Sequence, residues 1–89
     1  MFIDIEGLAL NYIVEGEGSP AVILHGWVCH IETVMSIVNI LKERYKVYCI
    51  DLPGFGKSDK PKDVLGSFDY ARIVKKFLES MDVKKAVFI

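Results

Sequence analysis

Continuous apolar runs alternate along the chain with stretches in which apolar residues return at every third or fourth position. Phe2-Ile3-Asp4-Ile5 and Leu8-Ala9-Leu10-Asn11-Tyr12-Ile13-Val14 read as strands, and Glu6-Gly7 between them suits the tight turn of an antiparallel hairpin at a sheet edge. Glu15 to Pro20, with two glycines and a proline, is expected to be loop. Ala21-Val22-Ile23-Leu24 is apolar throughout, the pattern of a strand covered on both faces. Val47-Tyr48-Cys49-Ile50 and Ala86-Val87-Phe88-Ile89 repeat that pattern, each after a helical one.

In the first helical stretch Val34, Ile37, Val38, Leu41 and Tyr45 predict one apolar face between about Ile31 and Arg44. In the second, Ser67 offers an N-cap, and Tyr70, Ile73, Val74, Phe77, Leu78 and Met81 fall on one side. The resulting order β-β-β-α-β-α-β predicts an α/β fold: an N-terminal β-hairpin, then parallel strands joined by right-handed crossover helices on both faces.

Composition narrows the function classes. Hydrophobic residues make up 52% of only 89, rich for a chain whose size should leave much of its surface exposed. Eleven basic and twelve acidic residues give a net charge of −1 with no long like-charge run, so nucleic acid is not an expected partner. Cys29 and Cys49 form no CxxC pair and suit a reducing cytoplasm better than a disulfide framework or a zinc site. The acidic N-terminus does not read as a signal peptide, and no apolar stretch approaches ~18 residues, so no membrane association is expected.

Two glycine patterns imitate nucleotide sites and fail on context, which removes a small nucleotide-binding domain from contention. Gly16-Glu17-Gly18-Ser19-Pro20-Ala21 leads into a strand, so no helix N-terminus follows to hold a pyrophosphate. Gly56-Lys57-Ser58 lacks the glycine five positions earlier, where Asp51 stands, and opens no helix. Neither a cofactor nor a metal is expected.

Two turns remain, each directly after a buried strand: His25-Gly26-Trp27, and Asp51-Leu52-Pro53-Gly54-Phe55-Gly56-Lys57-Ser58. Both stand at strand C-terminal ends, where open α/β sheets build their sites. In these two signatures, their order and the helix between them, the sequence resembles the α/β-hydrolase superfamily over nearly its whole length. The resemblance implies that residues 1–89 are an N-terminal part of an α/β-hydrolase domain, strands one to five, stopping before the Gly-x-Ser-x-Gly elbow that carries the nucleophile. None of Ser19, Ser36, Ser58, Ser67 and Ser80 stands in that motif. The triad is expected to be absent, and this chain alone to be inactive.

The resemblance also assigns roles. It implies that the Trp27 backbone N–H contributes to an oxyanion hole, that its indole lines the substrate pocket, and that His25 and Gly26 shape the loop. His30 could face that pocket or solvent. Asp51, Gly54, Gly56 and Ser58 are expected to brace their own turn: Asp accepts backbone N–H bonds at such positions, and glycines adopt dihedrals that other residues resist. Cys29 has no cationic neighbour in sequence except His30, so an inert or pocket-lining thiol is expected. A small-molecule substrate is implied, cleaved at an ester, amide, epoxide or related bond through a covalent intermediate. The family strand order would leave strand five open at one edge, offering a site for self-association or for a C-terminal-half partner. A non-catalytic oligomerising or regulatory module is the alternative reading.

Overall fold

The computed structural model describes residues 1–24 and 31–88. Strands β1 (Phe2–Ile5) and β2 (Leu8–Glu15) form the hairpin, β3 (Ser19–Leu24) and β4 (Tyr45–Ile50) flank helix α1 (Ile31–Leu41), and α2 (Ser67–Ser80) leads into β5 (Val87–Phe88). Glu6 and Gly7 both take positive φ, 55° and 84°, the backbone of a two-residue hairpin turn whose twist matches its strands. The strands form one sheet in the order β1-β2-β4-β3-β5. β3 pairs in parallel with β4 and β5, and β2 runs antiparallel to β1 and β4.

The two helices cover opposite faces, as the period-2 alternation of strand side chains requires. Val22, Tyr48 and Ile50 pack towards α2, where Ile73 and Phe77 complete a core with Ile5 and Leu10. Their sequence neighbours Ile23, Val47 and Cys49 point the other way, into a second cluster with Val38 of α1. Phe77 is fully buried and meets Tyr12 and Tyr48 edge-on, at centroid distances of 5.4 and 6.5 Å, the geometry favoured by ring quadrupoles.

Several boundaries differ from the sequence reading. The β2–β3 loop shrinks to Gly16-Glu17-Gly18, because Ser19 and Pro20 already pair with Tyr45 and Lys46. A Cβ at Gly16 would run into the Lys42 and Tyr45 carbonyl oxygens. The glycine there serves a close backbone approach, and needs no phosphate to explain it. Helix α1 ends at Leu41, and Tyr45 opens β4 instead of extending the helical stripe. At ~100° per residue, Val34, Val38 and Leu41 line one side while Ile37 drifts to its edge and Ile40 to the far side, leaving the last two 44% and 73% exposed.

Ser67 is not the N-cap of α2. Gly66 takes that place with extended backbone, and the Asp69 carboxylate accepts its N–H at 2.9 Å, so Ser67 is already helical. The last strand starts at Val87, one residue later than the predicted run, whose Ile89 lies outside the described residues, and it is not buried: Val87 and Phe88 are 53% and 54% exposed. The reason is positional, since β5 is hydrogen-bonded on one side, to β3, and sits last in the sheet.

Candidate active-site turns

Leu24 and Ile50 are register partners at the ends of parallel strands. The chain therefore leaves β3 into residue 25 and β4 into Asp51 from adjacent points on one end of the sheet. His25, Gly26, Trp27, Cys29 and His30 lie outside the described residues. The second turn is described in full.

Asp51 is 1% exposed, and a carboxylate so placed needs hydrogen-bond donors. Its Oδ2 accepts the Asn11 side-chain amide and the Lys57 backbone N–H, both at 3.0 Å. Its own backbone N–H donates to the Asn11 carbonyl at 2.9 Å. Gly56 has a φ of 52°, and a Cβ there would collide with the Asp51 carboxylate. Glycine is thus required twice over, by dihedral and by contact. Gly54, at φ 88°, donates its N–H to the Asp59 carbonyl at 2.9 Å.

Ser58 is used in both directions. Its hydroxyl donates to the Asp51 carbonyl at 2.5 Å and accepts the Asn11 backbone N–H at 2.8 Å. A serine committed in this way is not activated, because nucleophilic chemistry needs a general base to receive that proton. At the next residue, the Asp59 carboxylate accepts the Ala9 N–H at 2.8 Å, and the Asp59 N–H donates to the Ala9 carbonyl at 2.9 Å. The turn thus returns along β2 just past the point where β4 stops pairing with it, and occupies donors and acceptors of Ala9 and Asn11. The Tyr70 hydroxyl donates to the Pro53 carbonyl at 3.4 Å, joining the start of α2 to the same turn.

Sequence reasoning singled out Asp51, Gly54, Gly56 and Ser58 but missed Asn11 and Asp59, which stitch them to the sheet. One signal was available for Asn11, a strand-averse residue in the middle of an otherwise apolar strand. Cys49, immediately before the turn, is a buried free thiol whose pKa is pushed up to about 12 by burial and by the nearby Asp51 charge. It stays protonated at neutral pH and is no nucleophile. Among the described residues no group of three or more His, Cys, Asp and Glu could hold a metal, and no helix is long and apolar enough to cross a membrane.

Over 78 residues the chain is 36% identical to the pimeloyl-[acyl-carrier protein] methyl ester esterase of Aliivibrio salmonicida (strain LFI1238), an alignment covering 88% of this chain and 28% of the esterase. Over 57 residues it is 37% identical to a soluble epoxide hydrolase of Corynebacterium sp. (strain C12), covering 64% of this chain and 20% of that enzyme. The solved structure of Est816, an N-acyl homoserine lactone degrading enzyme, superimposes with a TM-score of 0.91 at 28% identity, over 99% of this chain and 34% of that one. The chain thus spans less than a third of the length of the curated relatives it matches first. The model of the alpha/beta hydrolase fold family matches residues 20–89, a stretch that runs from the second residue of β3 through β5, and the chain belongs to that family.

Proposed function

We propose that residues 1–89 supply the scaffold and one oxyanion donor of a hydrolase acting on a small-molecule ester. The observation that supports this reading is the adjacency of the β3 and β4 ends at Leu24 and Ile50, the second of which opens into a turn tied down by Asp51, Asn11 and Ser58. In such a site a nucleophile from the rest of the protein adds to the ester carbonyl, and negative charge gathers on the carbonyl oxygen. The Trp27 N–H donates to that oxygen, the alcohol leaves with a proton, and water then cleaves the acyl intermediate to acid and regenerated nucleophile. His30 and the Trp27 indole border the substrate, while His25 and Gly26 shape the loop. The relative named as a methyl ester esterase supports the bond class. The buried free thiol of Cys49 suits a reducing cytoplasm.

The test supplies the chain with a C-terminal part bearing Gly-x-Ser-x-Gly, an acid and a histidine, and follows p-nitrophenyl ester hydrolysis. The 89-residue chain alone is expected to be inactive and the combination active. Trp27→Phe, which keeps the N–H, should hold kcat within a few-fold, whereas Trp27→Pro, which removes it, should cost ~10²–10³ in kcat. An inactive combination, or a Trp27→Pro variant with full kcat, overturns the proposal. A second reading, a non-catalytic module that self-associates, draws on one observation, the exposure of β5. It requires a dimer at micromolar concentration in sedimentation, and a monomer refutes it.

A further inference from the structure

Val64 and Phe68 are 98% and 92% exposed, whereas the next large apolar residue among the described ones, Ile40, is 73% exposed. Neither belongs to a chain end. Between them Leu65 packs against the core beneath α2, and Gly66 caps the helix, donating its N–H to the Asp69 carboxylate. Upstream, the Gly54 N–H bonds to the Asp59 carbonyl, and the Tyr70 hydroxyl ties α2 to Pro53. Two apolar side chains are thus held out in solvent by backbone that is itself fixed on both sides.

Helix geometry says which way Phe68 faces. At ~100° per residue it stands ~180° from Phe77 and ~140° from Ile73, the two residues by which α2 meets the core. It projects from the outer side of the helix, and Arg72 and Lys75 follow it there, within ~40° and ~20° of its direction. The sheet cannot cover a ring so placed, and neither can a strand added at the β5 edge.

Charge says what can. Lys60, Lys62 and Lys75 are exposed and form no ion pair among the described residues. Of the carboxylates around them, that of Asp59 accepts the Ala9 N–H, and that of Asp69 is shared by Gly66 and Arg72. Asp63 and Glu79 remain to oppose the three lysines. A second copy docked here across a two-fold axis would set lysine against lysine, because such an interface repeats the same patch on both sides. Apolar side chains flanked by lysines suit a bilayer with anionic headgroups, in which the apolar groups dip below the headgroups while the ammonium groups meet lipid phosphates and carboxylates.

We propose that Val64 and Phe68, with Lys60, Lys62 and Lys75, form a docking surface for an anionic lipid bilayer. The sequence reading excludes a membrane span; a surface contact needs none, so the expectation of no membrane association holds for spans alone. The inference stands apart from the hydrolase reading, since it concerns binding and is tested by binding.

The experiment sediments the 89-residue chain with vesicles of phosphatidylcholine alone and of phosphatidylcholine with about 30% phosphatidylserine. Binding to the anionic vesicles is expected, and should weaken as salt rises from ~0.1 to ~0.5 M. Val64→Ser and Phe68→Ser should each lower the partition coefficient ~5-fold or more, and Lys60→Glu combined with Lys62→Glu ~10-fold or more. Phe88→Ser, and Lys84→Glu combined with Lys85→Glu, make the same kinds of change at exposed positions in and before β5, and should leave it unchanged. Circular dichroism of each variant confirms that it folds. Failure to bind anionic vesicles overturns the inference, as does equal binding to both kinds of vesicle. A loss in Phe88→Ser that matches the loss in Phe68→Ser also overturns it, because the β5 edge is then the binding element. Lysine-dependent binding of poly-glutamate without vesicle binding would make the occupant an acidic polypeptide, and a dimer that Phe68→Ser dissociates would make it a second copy; either result refutes the lipid surface.

Discussion

The two sides of β3 differ sharply, although the sequence writes them in similar letters. Towards β4 and β2, strand after strand is paired, Val22, Ile50 and Phe77 are buried, and even the turn that leaves β4 is tied back to β2 through Asn11 and Ala9. Towards β5, a two-residue strand ends the sheet with both its side chains half exposed. The difference teaches that apolar character measures what a segment is suited to pack against, not whether it is packed. The paired side can support its own stability, whereas the β5 side contributes little until something covers it.

That contrast is broken most directly at Phe77. It is fully buried and touches the rings of Tyr12 and Tyr48, so Phe77→Ala should cost ~3–5 kcal/mol. In a chain this small such a loss approaches the whole folding free energy, and thermal denaturation followed by circular dichroism should show no cooperative transition. A melting temperature within a few degrees of the parent would mean that the core does not centre on α2.

The Asp51 turn comes next. Gly56→Ala forces a side chain onto a left-handed backbone and into the Asp51 carboxylate, and Asn11→Ala withdraws a donor from that carboxylate. Each should destabilise by ~1–3 kcal/mol, which lowers the melting temperature by roughly 4–8 °C per kcal/mol in a domain of this size. Ser58→Ala should lose a similar or smaller amount and, in the complemented enzyme, leave kcat unchanged. A collapse of kcat with stability intact would show that its hydroxyl does chemistry.

These residues also show how far the sequence could be read. The element order and the two amphipathic faces were legible, because helix and strand periods are local properties. Asp51, Gly56 and Ser58 were legible as members of one short motif. Asn11 was not, because its bond to Asp51 joins residues 40 positions apart, and no local pattern encodes that distance. The start of α2 was misread because Ser67 is a good cap in isolation, but Asp69 three residues after Gly66 settles the boundary one position earlier. The exposure of β5 was invisible for a different reason: an apolar run reads alike whether its cover is present or not.

On the β5 side, substitutions should hardly register. Phe88→Ser removes a ring that is 54% exposed, and the isolated chain should lose no more than about 1 kcal/mol in a urea titration. The same change should weaken assembly with a supplied C-terminal part severely. A loss comparable to that of Phe77→Ala would mean that β5 already belongs to the core, and the contrast drawn above would fail.

The smallest effect is expected at the surface of the paired side, where Glu6 in the hairpin turn binds α2. Its carboxylate accepts both Arg72 Nε at 2.7 Å and Arg72 Nη2 at 3.0 Å, and forms an ion pair with Lys76 Nζ at 2.9 Å. Hydrogen bonds from Arg72 and then Lys76 lower its pKa from 4.5 to about 2, and Arg72 lowers that of Asp69 in the same direction. A depressed folded-state pKa stabilises the fold at every pH above the unfolded value and ceases to do so as pH falls through the folded one. The contribution of Glu6 should therefore be whole above about pH 4.5 and should fade between there and about pH 2. Being exposed and screened, it will be modest. Urea midpoints measured across that window should fall less steeply for Glu6→Gln than for the parent, and Asp69→Asn should remove a separate part of the slope. Identical slopes for parent and Glu6→Gln would show that the turn and α2 are held together by the apolar contacts of Ile5 with Ile73 and Phe77, and that the ion pair adds nothing.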